Sequence, residues 1–191
     1  MYFLSAHLES LLIDLRSGLE VITTCSPTNF GFVIRLGADK VFDYHSPTVG
    51  LDIRKYTNNN LHHVWDTIGE GDAQQICADA LSSSASSPLY YSTIVLNTFP
   101  RTDVKTDITL GYTIFGDAFD MFGSFRINSM PQNFEFAKQW GVLIEKLLVE
   151  KKVIPHPVEA RSGIEGIGAG LKDLEEGRIS ARKLVYRVSD L

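Results

Sequence analysis

The 191-residue chain predicts an α/β protein built on a doubly wound parallel sheet. Three observations lead there. Short β-branched runs alternate with amphipathic stretches between Glu20 and Leu96. Glycine and asparagine stops separate them, at Gly18, Gly37 and Asn58-Asn59-Asn60. Hydrophobic residues make up 44% and charged residues 21%, as in an ordinary globular protein. A βαβαβαβ order needs crossover connections, and these give parallel strands with helices on both faces.

The elements follow in order. Leu8, Leu11, Leu12 and Leu15 predict a helix over 5–16, ended by Gly18. The strand EVITTC covers 20–25. Ser26-Pro27 then opens a helix with Phe30, Val33, Ile34 and Leu36 inward, stopped by Gly37. KVFDY is a strand over 40–44, 49–56 a short helix, HHVWDTI a strand over 62–68, 72–81 a helix, and LYYSTIVL a strand over 89–96. Residues 98–129 read as irregular. A long helix follows over 131–152, its apolar stripe carried by Phe134, Ala137, Trp140, Ile144 and Leu147. A strand at 158–161, a helix over 164–176 and a strand KLVYRV over 183–188 close the chain.

Composition excludes several function classes. The formal net charge is -5, which argues against a nucleic-acid-binding surface. Two cysteines, Cys25 and Cys77, form no framework and no CxxC pair, so a reducing, cytoplasmic setting is expected. No apolar run approaches the roughly 20 residues that span a bilayer. Met1-Tyr2-Phe3-Leu4 is too short for a signal segment. The five histidines, at 7, 45, 62, 63 and 156, have no cysteine partner at ligand spacing, so no zinc site is expected. His62 and His63, adjacent on a strand, point to opposite faces. Asp103, Asp107, Asp117 and Asp120 read as solvated carboxylates.

Chemistry concentrates where strands end. Cys25-Ser26-Pro27-Thr28-Asn29 lies where a dinucleotide-binding sheet meets an adenosine ribose. An acidic residue there would take the 2′-hydroxyl of NAD. Small polar residues before helix amides suit a 2′-phosphate instead, which favours NADP. The plainer reading of Ser26-Pro27 is a helix cap. Tyr44 ends the next strand, where an adenine ring could stack or the tyrosine simply cover the sheet edge.

"VITTCSPTNF…LGADKVFDYHSP" resembles the adenosine-binding half of the cofactor domain of the medium-chain dehydrogenase/reductases. "HHVWDTIG" resembles its fourth strand, and "IEGIGAGLKDLEEGRISARKLVYRV" its last helix and strand. The resemblance runs from Gly18 to Val188. The SPTN segment, "LNTFP" and "TLGYTIFG" are similar to fungal trans-acting enoyl reductases of polyketide synthases. It implies a zinc-free, NADP-dependent oxidoreductase of secondary metabolite biosynthesis. Such an enzyme reduces the 2-enoyl group of a carrier-bound polyketide, with a polyketide synthase or its acyl carrier domain as partner. By resemblance Ser26, Pro27, Thr28 and Asn29 contact the 2′-phosphate and ribose, and Tyr44 the adenine side. Leu96, Asn97, Val185 and Tyr186 lie near the nicotinamide, and Thr109, Leu110, Gly111, Tyr112 and Thr113 line the acyl pocket. No side chain declares itself as proton donor; Tyr112 and solvent are the candidates.

That fold is expected to be an incomplete Rossmann-like sheet. The family's first strand and Gly-rich turn should precede residue 17, yet no glycine comes before Gly18. The family's N-terminal substrate domain is also missing from the sequence, so a truncated chain is expected. Three regions result: an atypical N-terminal helix over 1–17, a partial NADP-binding domain over 18–152, and a returning helix and strand over 153–191. Without its central strand the sheet would use Met1 to Leu4 as a stub, re-pair, or be filled by a partner. The strands at 158 and 183 would then be edges or an interface. Two other functions remain open: a non-catalytic remnant, and another zinc-free reductase such as a quinone oxidoreductase.

Overall fold

The computed structural model describes residues 2–5, as backbone alone, and residues 19–84, 86–121, 123 and 125–188. The helix expected over 5–16 lies, from residue 6 on, outside the described residues, as does Gly18.

The sheet has six parallel strands: β1 (Tyr2–Ser5), β2 (Val21–Cys25), β3 (Lys40–Asp43), β4 (His63–Asp66), β5 (Leu89–Thr93) and β6 (Val104–Ile108). Their order is β3-β2-β1-β4-β5-β6, the Rossmann order. The expected absence of a first strand is corrected here, and of the three alternatives for the sheet's centre the stub at Met1 to Leu4 is the one that holds. The first strand is present, and it sits in the centre of the sheet. Tyr2–Ser5 pairs with Val21–Thr24 on one side and His63–Asp66 on the other. Four residues suffice because each strand beside β1 contributes only four pairing residues to the ladder.

Both faces of the sheet are covered. The helix α1 (Phe30–Leu36) packs on one face, where Val33 and Ala38 meet Val21, Cys25 and Val41. Helices α2 (Val49–Tyr56) and α3 (Ala73–Ala80) pack on the other, where Val49, Ile53 and Cys77 meet Ile22, Val64, Leu89, Tyr91 and Val104. All five residues of β2 are buried, as a doubly covered strand requires. At the α2–α3 crossing Gly50 is buried, and a Cβ there would lie 2.6 Å from Asp79 Cβ and 2.7 Å from the Ile76 carbonyl oxygen.

The carboxyl end of α3 is closed by two arginines from elsewhere. Arg54 donates to the carbonyls of Leu81 (2.9 Å) and Ala78 (3.1 Å). Arg101 donates to those of Ala78, Leu81 and Ser82, and pairs with Asp103 at 2.6 Å. These carbonyls are the orphan acceptors of a helix end. Arg101→Ala should therefore cost about 1–3 kcal/mol in a urea unfolding curve. An unchanged midpoint would show that water replaces the guanidinium freely.

The stretch 98–129, expected to be irregular, contains structure. Its strand β6 was hidden because it is an edge strand with Lys105, Thr106 and Asp107 exposed. A 3-10 turn (Gly111–Phe115) and an antiparallel hairpin, β7 (Phe119–Met121) and β8 (Phe125–Ile127), follow. The long helix α4 (Pro131–Val149) turns Ala137, Trp140, Ile144 and Leu147 half inward, whereas Phe134 is exposed. Among the described residues no helix is long and apolar enough to cross a membrane.

The chain divides into two compact units, 1–153 and 154–191. The second holds β9 (Val158–Ser162) and β10 (Lys183–Arg187), paired with each other in parallel and joined through α5 (Ile167–Glu175). An ion-pair cluster, Arg161 with Glu159 and Asp173, and Arg178 with Asp173, ties strand to helix.

Candidate functional site

Parallel strands deliver their carboxyl ends to one edge of the sheet, where an α/β fold binds ligands. Two groups of the expected residues stand on that edge, at the ends of β2 and β3 and at the ends of β4 and β5.

At the first, Ser26 follows β2 and Tyr44 follows β3. Ser26 makes no side-chain cap to the following turn. Ser26 does stand at the N-cap position with Pro27 after it, but its hydroxyl donates to Tyr44 Oη at 3.4 Å, which brings two of the expected residues together. Pro27, Thr28 and Asn29 form a 3-10 turn leading into α1, with Pro27 and Thr28 exposed. Tyr44 is also exposed, and its ring stacks on His45 at 4.0 Å. Asp43, beside Cys25 in the ladder, holds the His45 ring at 2.7 Å. The His45 backbone amide, and then its ring, keep the Asp43 carboxyl below its ordinary range. Sequence reading missed Arg35. Its guanidinium folds back toward the start of α1: a Cβ built on Gly31 would meet Nη1 at 3.4 Å. Long helical side chains lean toward the amino end, which is what brings it there. The paired hydroxyls of Ser26 and Tyr44 offer donors of the kind that fit a phosphate monoester. Residues 6–18, which follow β1, lie outside the described residues.

Cys25 on β2 and Cys77 on α3 are chemically quiet. Burial, and next the Asp43 charge, push the Cys25 thiol up to about 11. Cys77 is fully buried, and burial with the Asp66 charge raises it well above its usual value. Both should resist a disulfide reagent at pH 8 in the folded protein and react in denaturant, because the thiolate is the nucleophile. Fast labelling of the native chain would contradict that burial.

The second group lies past β4 and β5. The strand expected to reach Leu96 ends at Thr93, and Val95 and Asn97 then approach Gly69, just past the end of β4. Leu96 is 48% exposed at the edge. Asn97 is half-buried, and its amide donates to Tyr91 Oη at 2.9 Å and reaches the Gly69 carbonyl at 3.5 Å. Tyr91 Oη donates to Asp66 Oδ2 at 2.9 Å. Asp66 Oδ1 accepts the amides of Ile68 (3.0 Å) and Gly69 (2.9 Å). Gly69 has φ +66, and a Cβ there would lie 2.7 Å from Val95 Cβ. Only glycine tolerates both the φ and the approach. Asp66, Tyr91 and Gly69 were not singled out from the sequence; the "WDTIG" and "LYYST" runs read as plain strand.

The expected acyl residues separate. Tyr112 is 65% exposed and lines a cavity of about 500 Å³ with Phe115, Asp117, Phe119, Asp120 and Met121. Thr113 is buried, donates to the Leu110 carbonyl at 2.7 Å and accepts from Asn133 at 2.8 Å, so it fastens α4 rather than facing the cavity. Thr109 extends the β5–β6 ladder through a 2.8 Å bond to the Thr93 carbonyl. Leu110 is half-buried and Gly111 is exposed at the start of the turn. The aspartates expected to be solvated are partly engaged: Asp120 pairs with Arg126 at 3.0 Å. In the second unit Val185 is exposed, whereas Tyr186 lies on the α5 side of β10 against Gly166 and Gly170. Neighbours on one strand face opposite ways, so these two cannot serve one face. Among the described residues no three His, Cys, Asp or Glu side chains stand together as metal ligands. His62 bonds Asn60 at 3.0 Å and His63 stacks on Tyr90 at 4.9 Å.

Comparison with known proteins adds kinship. No protein-family model matches the chain. It is 40% identical over 173 residues to trans-enoyl reductase ACTTS2 of Alternaria alternata, covering 90% of this chain and 49% of that protein. It is 35% identical over 174 residues to trans-enoyl reductase apdC of Emericella nidulans, covering 91% and 52%. The chain thus spans about half the length of the curated relatives it matches. Among solved structures, the apo JamJ enoyl reductase superposes with a TM-score of 0.71 at 17% identity, over 98% of this chain and 55% of that one. That likeness shows the fold.

Proposed function

We propose that this chain, a relative of the trans-enoyl reductases with the medium-chain dehydrogenase/reductase fold, forms the coenzyme-binding half of an NADPH-dependent enoyl reductase. Its substrate class is the 2-enoyl thioester of a carrier-bound polyketide, and its partner a polyketide synthase or its acyl carrier domain. The relationship over nine-tenths of the chain carries the reaction class. The Ser26–Tyr44 contact at the ends of β2 and β3 supports the choice of coenzyme.

Each station has a separate task in this reading. Ser26, Thr28, Asn29, Tyr44 and Arg35 would hold the adenosine end, with hydroxyl and guanidinium donors on the 2′-phosphate. No carboxylate occupies the Cys25-Ser26 position to prefer a free ribose. Leu96 and Asn97 would flank the nicotinamide. The bound coenzyme supplies the hydride that adds to the β-carbon of the enoyl group. Tyr112, exposed at an aromatic cavity, would face the acyl chain, and its hydroxyl or water would return the proton to the α-carbon. Orientation of two reactants is the protein's main contribution to such a step.

The test has two stages. NADPH is titrated into the purified chain by nicotinamide fluorescence, and saturable binding is expected. A 2-enoyl pantetheine thioester is then added and NADPH consumption followed. Absence of binding would leave a non-catalytic fold. NADPH oxidation by quinones but not by enoyl thioesters would reassign the reaction.

A further inference from the structure

Asp66, Tyr91, Asn97 and Gly69 close a ring of hydrogen bonds between the ends of β4 and β5. The Tyr91 ring belongs to the core, 1% exposed and stacked on Phe99 at 4.0 Å. Phenylalanine would fill that space equally well, so the hydroxyl needs its own reason. Burial, and next the Asp66 charge, raise the Tyr91 phenol above its usual range, so its proton stays in place. Asp66 Oδ1 is taken by two backbone amides, and Oδ2 takes the phenol proton. The phenol oxygen can then only accept from Asn97, which turns the Asn97 NH2 inward. That NH2 is spent on Tyr91, Gly69 and Thr93. Asn97 Oδ1 is left as an acceptor without a partner among the described residues.

We propose that Tyr91 is a positioning residue: held by Asp66, it fixes the amide of Asn97 so that Oδ1 accepts a hydrogen bond from the nicotinamide carboxamide. The inference rests on the coenzyme reading above and assigns the group that orients the nicotinamide. A primary amide needs an acceptor for its NH2, and Oδ1 offers one in a single fixed orientation. A freely rotating Asn would present donor and acceptor alternately and lose that preference.

The test compares wild type and Tyr91→Phe with three probes: NADP, its 3-acetylpyridine analogue, which lacks the carboxamide NH2, and 2′,5′-ADP, which lacks the nicotinamide. Wild type should prefer NADP to the analogue. Tyr91→Phe should weaken NADP about tenfold, abolish that preference and leave 2′,5′-ADP within about twofold. Equal weakening of all three probes, or of none, overturns the proposal. If Tyr91→Phe does not fold, Asn97→Ala, at the half-buried end of the ring, must give the same pattern. Wild type that binds none of the probes defeats the coenzyme reading itself. Wild type that binds all three without preference leaves that reading standing and defeats this one.

Discussion

Ser26→Asp should weaken NADPH binding about a hundredfold while leaving NADH unchanged or tighter. The substitution places a carboxylate where the 2′-phosphate of NADPH is proposed to sit. Two like charges about 4 Å apart at a partly exposed site repel by about 3 to 4 kcal/mol, which is a factor of roughly a hundred or more. The same carboxylate can accept from the free 2′-hydroxyl of NADH. Loss of the serine hydroxyl alone, in Ser26→Ala, should cost only a few-fold, because Tyr44 and Arg35 remain. Fluorescence titration with both coenzymes reads the ratio directly. A ratio unchanged in Ser26→Asp would remove the end of β2 from the site.

Gly50→Ala should lower the melting temperature by about 4–8 °C. Two effects compete. Alanine is the better helix former by about 1 kcal/mol. Against that, the new Cβ would lie 2.6 Å from Asp79 Cβ and 2.7 Å from the Ile76 carbonyl oxygen. Neither neighbour is the far end of a flexible chain, so α2 and α3 must move apart. Overpacking of this kind costs about 3 kcal/mol, and it wins. A chain of this size loses about 2–4 °C per kcal/mol. A melt within a degree or two of wild type would mean that the crossing yields without cost.

The alternation of strand and helix was legible because buried parallel strands are near-continuous apolar runs. Val49–Tyr56 was readable to the residue, since its apolar positions repeat every three or four residues. β6 was not readable, because Lys105 and Asp107 on an edge strand look like loop. The central strand was judged absent because the expectation was tied to a Gly-rich turn. The sheet needs only four residues that can pair, and Tyr2–Ser5 supply them. At the site, Ser26 and Tyr44 were legible from their places after strands. Their mutual contact was not, because it spans 18 residues of chain. The Asp66–Tyr91–Asn97 ring was invisible for a related reason. Each member looks like strand or turn alone, and only the side-by-side register of β4 and β5 brings them together.

The place of β1 has a consequence for how the sheet breathes. β2 and β3 form one flap, and β4 to β6 another. In the sheet, four residue pairs on each side of β1 stitch the flaps together. The two stations lie on opposite flaps. A molecule long enough to hold both binds only the closed seam, and so raises the free energy of its opening by mass action. Amide exchange along Val21–Thr24 and His63–Asp66 would slow first on ligand addition. The coenzyme would then serve as a clasp before it serves as a reagent.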